Sequence, residues 1–309
     1  MRAHRPSRSA AFTLVELLVV IVIIAILAGL LVPAIGMARS AALRFRIAAE
    51  IQNLEAGFEA YKLKFTDYPP DFSDRDLVRR HIYTAWPNID GAELTRVERV
   101  FWRYPNAAAG TANYHHSNVN PAEALAFWLG GFSTNPQRPF TGAGGPFVVN
   151  AGGIIIGANP DRATGTCDLD KARLAWDDGD RDFFAVYTPP KKMAPYVYFD
   201  CRTYGGLAAG TAPAVNGYYT LLNKGTAKPY FSTRSPASPV PYPFEWVNKD
   251  TFQIISAGLD DHYGSDLFLA DHLSYPVYPT GTNYLTPGDG DDDNITNFSE
   301  GSRLQDKKP

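Results

Sequence analysis

Glu16 is a lone carboxylate in the apolar run FTLVELLVVIVIIAILAGLLVPAI, residues 12–35, and no other charge falls between Arg8 and Arg39. A carboxylate inside a membrane helix is costly unless it is paired, so Glu16 is a functional candidate by default. It lies four residues after Phe12. Cleavage between Ala11 and Phe12 would create a cationic amine that Glu16 could neutralise, on its own chain or on a neighbour. The plainer reading is a glutamate at the membrane edge, reaching the headgroups.

A second set of oxygen donors lies near the C-terminus. Asp289, Asp291, Asp292, Asp293 and Asn294 fall within six consecutive positions, and such a density of hard ligands suits calcium. Asp289, Asp291, Asp293 and Glu300 match positions 1, 3, 5 and 12 of an EF-hand loop, yet Asn294 replaces the usual glycine and Pro287-Gly288 opposes an entering helix. The alternative is a solvated acidic loop. His115 and His116 are adjacent, and neighbours in sequence do not share a face of a helix or strand, so a joint metal site is not expected there. The acidic stretch DDGDRD at 177–182 reads as a solvated turn, with cation binding as the other reading. Cys167 and Cys201 stand 34 residues apart with no CxxC spacing. They either form one disulfide, worth about 3–4 kcal/mol in the chain-entropy model, or remain two buried thiols. No G-x-S-x-G, P-loop or H-E-x-x-H occurs, so no enzyme is expected.

The elements that must hold these residues are legible in outline. At about 1.5 Å per residue, 12–35 spans the roughly 30 Å hydrocarbon core. A secretory signal would carry its small residues after the apolar run, whereas Ser9-Ala10-Ala11 come before it. The helical pattern then continues. Ile47, Ile51, Leu54, Phe58, Tyr61 and Phe65 recur at steps of 4, 3, 4, 3 and 4, which is one apolar helix face. Glu55 and Glu59 repel mildly, and Glu59 is expected to pair with Lys62. Pro69 should close the helix, so 12–65 is predicted as one helix of about 80 Å.

In the body, 66–309, helices are predicted over 76–86, 92–104 and 121–129. Glu93, Arg96, Glu98 and Arg99 should give the second a charged face, and Asn120 and Pro121 are placed to cap and start the third. Short strands are predicted over 147–150, 153–156, 183–187, 196–199, 217–221, 244–247 and 252–256, separated by turn residues. Helix first and sheet later makes an α+β fold, a long N-terminal helix packed on an antiparallel-sheet head. The 26 glycines and 24 prolines favour loops over an all-helical body. A net charge of -3 with 45% apolar residues gives a globular body and no basic surface for nucleic acid.

Residues 11–35 resemble the N-terminal cleavage and methylation motif of type IV prepilins and type II secretion pseudopilins. The matching residues run Phe12-Thr13-Leu14-Val15-Glu16-Leu17-Leu18-Val19-Val20, then through the apolar helix with Pro33. The resemblance implies that a prepilin peptidase cuts before Phe12 and methylates the new amine, that Glu16 guides the subunit into a filament, and that Pro33 bends or loosens the helix. Ala11 stands where the family usually has glycine. The implied layout is a cytoplasmic leader at 1–11, a transmembrane and filament-core helix at 12–65, and an extracytoplasmic head at 66–309 with an enlarged insertion at 72–245.

The segment TDYPPD at 66–71 resembles the exit of the pseudopilin helix. Residues 256–260 and 292–298 resemble the calcium loop of the major pseudopilin, split here by an extra segment at 264–287, with Asn294 where aspartate is usual. The implied ligands are Asp260, Asp291, Asp292, Asp293 and Asn294. The function implied is a structural subunit of a type II secretion pseudopilus or related type IV pilus-like filament. It would be a single-pass protein of the bacterial inner membrane before assembly. Its partners would be membrane lipid, the peptidase, the inner-membrane assembly platform, and copies of itself or other pilin-like subunits. The rival readings are a minor tip or adhesin-like binding subunit and a membrane-tethered enzyme.

Overall fold

The computed structural model describes residues 13–102, 119–176, 183–204, 218–221, 223–232, 245–264, 276–279 and 291–308. The chain divides into two units, Met1–Leu43 and Arg44–Pro309.

In the first unit the described residues belong to the start of α1 (Leu14–Phe65). Every side chain from Thr13 to Ser40 is exposed, which takes in the apolar run from Thr13 to Ile35. A helix that is apolar on all sides has no face to offer water, and belongs in lipid or among other helices. Among the described residues, α1 is long and apolar enough to cross a membrane.

In the second unit the rest of α1 carries the predicted stripe. Ile47, Ile51, Leu54, Phe58, Tyr61 and Phe65 are all buried. The helix stops at Phe65, and Thr66 follows with φ 70°, the left-handed turn that commonly ends helices. Glu59 and Lys62 do not pair with each other as expected. Both engage Tyr68, whose hydroxyl donates to Glu59 at 2.6 Å while the Lys62 ammonium sits 4.2 Å over its ring. The chain leaving α1 reaches both sides of the core: Pro69 O accepts from the Tyr198 hydroxyl at 2.6 Å and Pro70 O from the Trp128 indole at 2.8 Å.

Three further helices follow, α2 (Arg75–Ala85), α3 (Gly91–Phe101) and α4 (Pro121–Leu129). Each starts at a side-chain cap, Asp74, Asp90 and Asn120 in turn, which satisfies amides that the first helical turn leaves open. At α4 the cap is reciprocal: Asn120 accepts from Ala122 and Glu123, and Glu123 accepts from the Asn120 amide. Every residue of α4 is buried. The charged face expected on α3 is broken at Glu93, which is fully buried. It accepts from the amides of Phe140 and Thr141 and from the Thr141 hydroxyl, and pairs with Arg96 at 3.5 Å.

The strands are short. β1 (Phe147–Val149) pairs antiparallel with β2 (Ile155–Ala158), and β3 (Leu174–Trp176) with β4 (Ala185–Tyr187). β2 starts two residues later than predicted, because Asn150 and Ile154 close a turn first. β5 (Val197–Asp200), β10 (Phe252–Ser256) and β12 (Ile295–Thr296) form an antiparallel sheet in the order β12-β10-β5. β6 (Tyr219–Leu221) pairs with β7 (Gly225–Ala227). β8 (Phe231–Ser232) lies between β9 (Glu245–Trp246), antiparallel, and β11 (Val277–Tyr278), parallel, so the head is not purely antiparallel. α1 packs on the β5–β10 pair through Phe58, which stacks on Tyr198 with centroids 4.2 Å apart and meets Phe252 at 5.1 Å. α4 covers β4 and β5. The architecture is α+β, with a long N-terminal apolar helix followed by a head of small sheets.

Candidate functional site

The N-terminal candidate is built on the first turn of α1. Ala11 and Phe12 lie outside the described residues. Thr13 is the cap. Its amide and its hydroxyl both donate to Glu16 Oε2 at 2.9 Å, and the Glu16 amide donates back to the Thr13 hydroxyl at 3.2 Å. This is a capping box, and the signal for it was present in the sequence as Thr-x-x-Glu ahead of an apolar run. Neither sequence reading of Glu16, as partner of the Phe12 amine or as a glutamate at the membrane edge, included it. Glu16 thus has a local task in starting the helix, and its carboxylate is held at the end of α1 nearest the predicted cut. Pro33 lies inside α1, which continues through it. Proline has no amide to give, so the Gly29 carbonyl lacks its usual helical donor there.

The C-terminal candidate joins two distant stretches. The turn after β10 meets the turn Asp291–Asp293. Asp293 Oδ2 accepts from the amides of Leu259 and Asp260, the latter at 3.0 Å. Gly258, at φ 67°, leaves room for the Asp293 carbonyl, which a Cβ would meet at 2.0 Å. The Asp291 carboxylate lies against Gly264 in the same way. Asp260 lies at the surface and accepts from the His262 amide; partial desolvation, with the Asp293 charge nearby, pushes its carboxyl up to about 6. Asp292 pairs with Lys308. The Asn294 amide nitrogen donates to the Tyr230 hydroxyl and the Tyr263 carbonyl, both at 2.9 Å, while its Oδ1 is buried without a hydrogen-bond donor. Among the described residues no three His, Cys, Asp or Glu side chains converge on one point that could hold a metal ion.

Other sequence candidates fall elsewhere. Asp289, His115, His116 and the stretch 177–182 lie outside the described residues. Both cysteines are free, so the disulfide alternative is not formed in this structure. Cys167 faces Gly57 and the Asn53 carbonyl on α1, and the Cys201 amide bonds to Thr251. Burial raises both thiols, Cys201 to about 12, which keeps them protonated and unreactive.

Residues 6–32 match the family model of the prokaryotic N-terminal methylation motif, the type IV prepilin and pseudopilin signal. No curated protein and no solved structure matches the chain. The motif makes the N-terminus type IV pilin-like and leaves the head to be read from its own geometry.

Proposed function

We propose that this chain is a structural subunit of a type II secretion pseudopilus or a related type IV pilus-like filament. The observation that carries the reading is the methylation motif at 6–32, set on an apolar helix whose one early charge is Glu16. In this reading the chain first sits in the inner membrane with its head outside and the leader, 1–11, in the cytoplasm. A prepilin peptidase removes the leader between Ala11 and Phe12 and methylates the new amine. Glu16 then neutralises that amine as the helix leaves lipid for a bundle of like helices. Lipid gives little drive for helices to associate, so packing and paired polar groups must supply it. Pro33, which removes one backbone bond, lets the helix loosen as it enters the filament.

Mass spectrometry of the membrane-extracted protein tests this. The mature chain should begin at Phe12 with a methylated amine. Loss of Arg2, Arg5 and Arg8 should take the formal charge from -3 to -6. A mature start beyond residue 30 would make the apolar run a cleaved secretory signal and end the proposal.

The acidic turns carry a second, separate proposal, that they take calcium. Its support is the meeting of 258–264 with 291–294 and the buried, donorless Oδ1 of Asn294. Calcium accepts amide and backbone oxygens alongside carboxylates. Asp260, Asp291, Asp293 and Asn294 would hold it, with Asp292 giving up Lys308 if it joined them.

A further inference from the structure

A cavity of about 380 Å³ opens between the C-terminal end of α4 and the β1–β2 and β3–β4 hairpins. Its wall carries two cations, Arg162 and Lys171, among the rings of Phe127, Phe147, Phe184 and Trp176. Arg162 is the unusual member. Its Nε donates to Gly131 O at 2.6 Å and its Nη2 to Phe127 O. The guanidinium lies over the rings of Phe127 and Phe132, 5.4 and 5.3 Å from their centroids, and presses on Gly130. No carboxylate pairs with it among the described residues. Asp168 also lines the cavity but pairs with neither cation, and the Lys171 ammonium rests on the Pro160 carbonyl at 3.3 Å.

Part of this has a local explanation. Phe127 O and Gly131 O mark the C-terminus of α4, where the helix dipole favours a cation. That end of the helix offers about half a charge and occupies two of the five N–H groups of a guanidinium. Three N–H groups and a whole positive charge stand at an aromatic wall. Burial lowers the Arg162 pKa only to about 9, so the charge is kept at neutral pH. Arg162 is half-buried, and a partly desolvated charge without a counter-ion is unfavourable, which an anion in the cavity would relieve. A guanidinium matches a carboxylate bidentately, and the volume falls in the range of small-molecule sites.

We propose that this cavity binds a small organic anion, a carboxylate on a flat apolar body, with the carboxylate on Arg162 and Lys171 and the body among Phe127, Phe147, Phe184 and Trp176. The inference holds whether or not the chain enters a filament.

The test uses the full chain in detergent, titrated with 3-phenylpropionate and, separately, with its uncharged amide, and followed by calorimetry and tryptophan fluorescence. The acid should bind saturably and at least tenfold more tightly than the amide. Arg162→Gln should erase that preference. If Arg162→Gln fails to fold, Lys171→Gln decides, because Lys171 is exposed and holds only one carbonyl. It should keep the wild-type melting temperature and lose several-fold in affinity for the acid alone. Equal affinity for acid and amide, no saturable binding of either, or an unchanged preference in the folded variants would overturn the proposal.

Discussion

Glu16 Oε2 takes both donors of Thr13, so the carboxylate proposed to neutralise the Phe12 amine also starts the helix. Glu16→Gln separates the two tasks. The amide oxygen can still accept from Thr13, so helix content and membrane insertion should hold, whereas losing a cap altogether costs about 1 kcal/mol. Incorporation into filaments beside wild type should fall sharply because the charge is gone. Equal incorporation of the two chains would mean that capping alone explains the residue. A second carboxylate makes a prediction about pH. Asp71 is fully buried and accepts from Ser73 N at 3.0 Å, Asp200 N at 3.2 Å and the Thr203 hydroxyl, joining the chain after α1 to the end of β5. Burial, and next the charge of Asp200, raise its pKa from 3.8 to about 6. The folded state therefore holds this proton more tightly than the unfolded chain does. The stability that results is complete below about pH 4 and lost as pH rises through about 6. Urea unfolding of Asp71→Asn should show a protein weaker by roughly 1–3 kcal/mol, from a donor left unmet, with a flatter profile over that interval. Parallel pH profiles for the two proteins would remove Asp71 as the source.

At the scale of elements, the long helix and the close approach of two turns show what sequence can and cannot tell. The α1 stripe was legible because its period is local, and so was the stop, because Pro69 acts on its own neighbours. Asp74, Asp90 and Asn120 stand directly before their helices and cap them. β8, β11 and β12 were not legible. Each has two residues and exists only because a distant strand lies beside it, as Val277 does beside Phe231. Glu93 misled for the same reason, since its donors are the amides of Phe140 and Thr141. The need for Gly258 was likewise hidden, because it is set by the Asp293 carbonyl arriving from another part of the chain. Gly258→Ala should cost at least about 1–3 kcal/mol, from positive φ and a backbone clash together. Gly157→Ala on β2 meets nothing within 4 Å and should stay within about 0.5 kcal/mol of wild type. Thermal melting of the two variants side by side checks this, and equal melting temperatures would contradict the account.

For the whole molecule, the acidic turns decide whether the C-terminal segment is closed by its own hydrogen bonds or by an ion. The sequence brought Asp260 and 291–294 under suspicion, and in the structure the two stretches meet. The hydrogen bonds and ion pairs of these carboxylates were not legible, because Asp292 turns to Lys308 and Asp293 to the amides of Leu259 and Asp260. Those contacts already tie 258–264 to 291–294, so calcium would add to a formed junction and not create one. A ligand that binds only the native state stabilises it by about 2.7 kcal/mol at a hundredfold excess over its dissociation constant. The full chain should therefore melt higher in millimolar calcium than in chelator, and magnesium should do less, since it demands tighter octahedral geometry. The substitutions should separate by role. Asp260→Asn should abolish most of the calcium increment and change the melting temperature in chelator little, because among the described residues the Asp260 carboxylate bonds only to the His262 amide in a local turn. Asp292→Ala should lower melting in both conditions, through loss of the Lys308 pair. A calcium increment that survives Asp260→Asn, or identical wild-type melting in calcium and chelator, would leave the junction to hydrogen bonds alone.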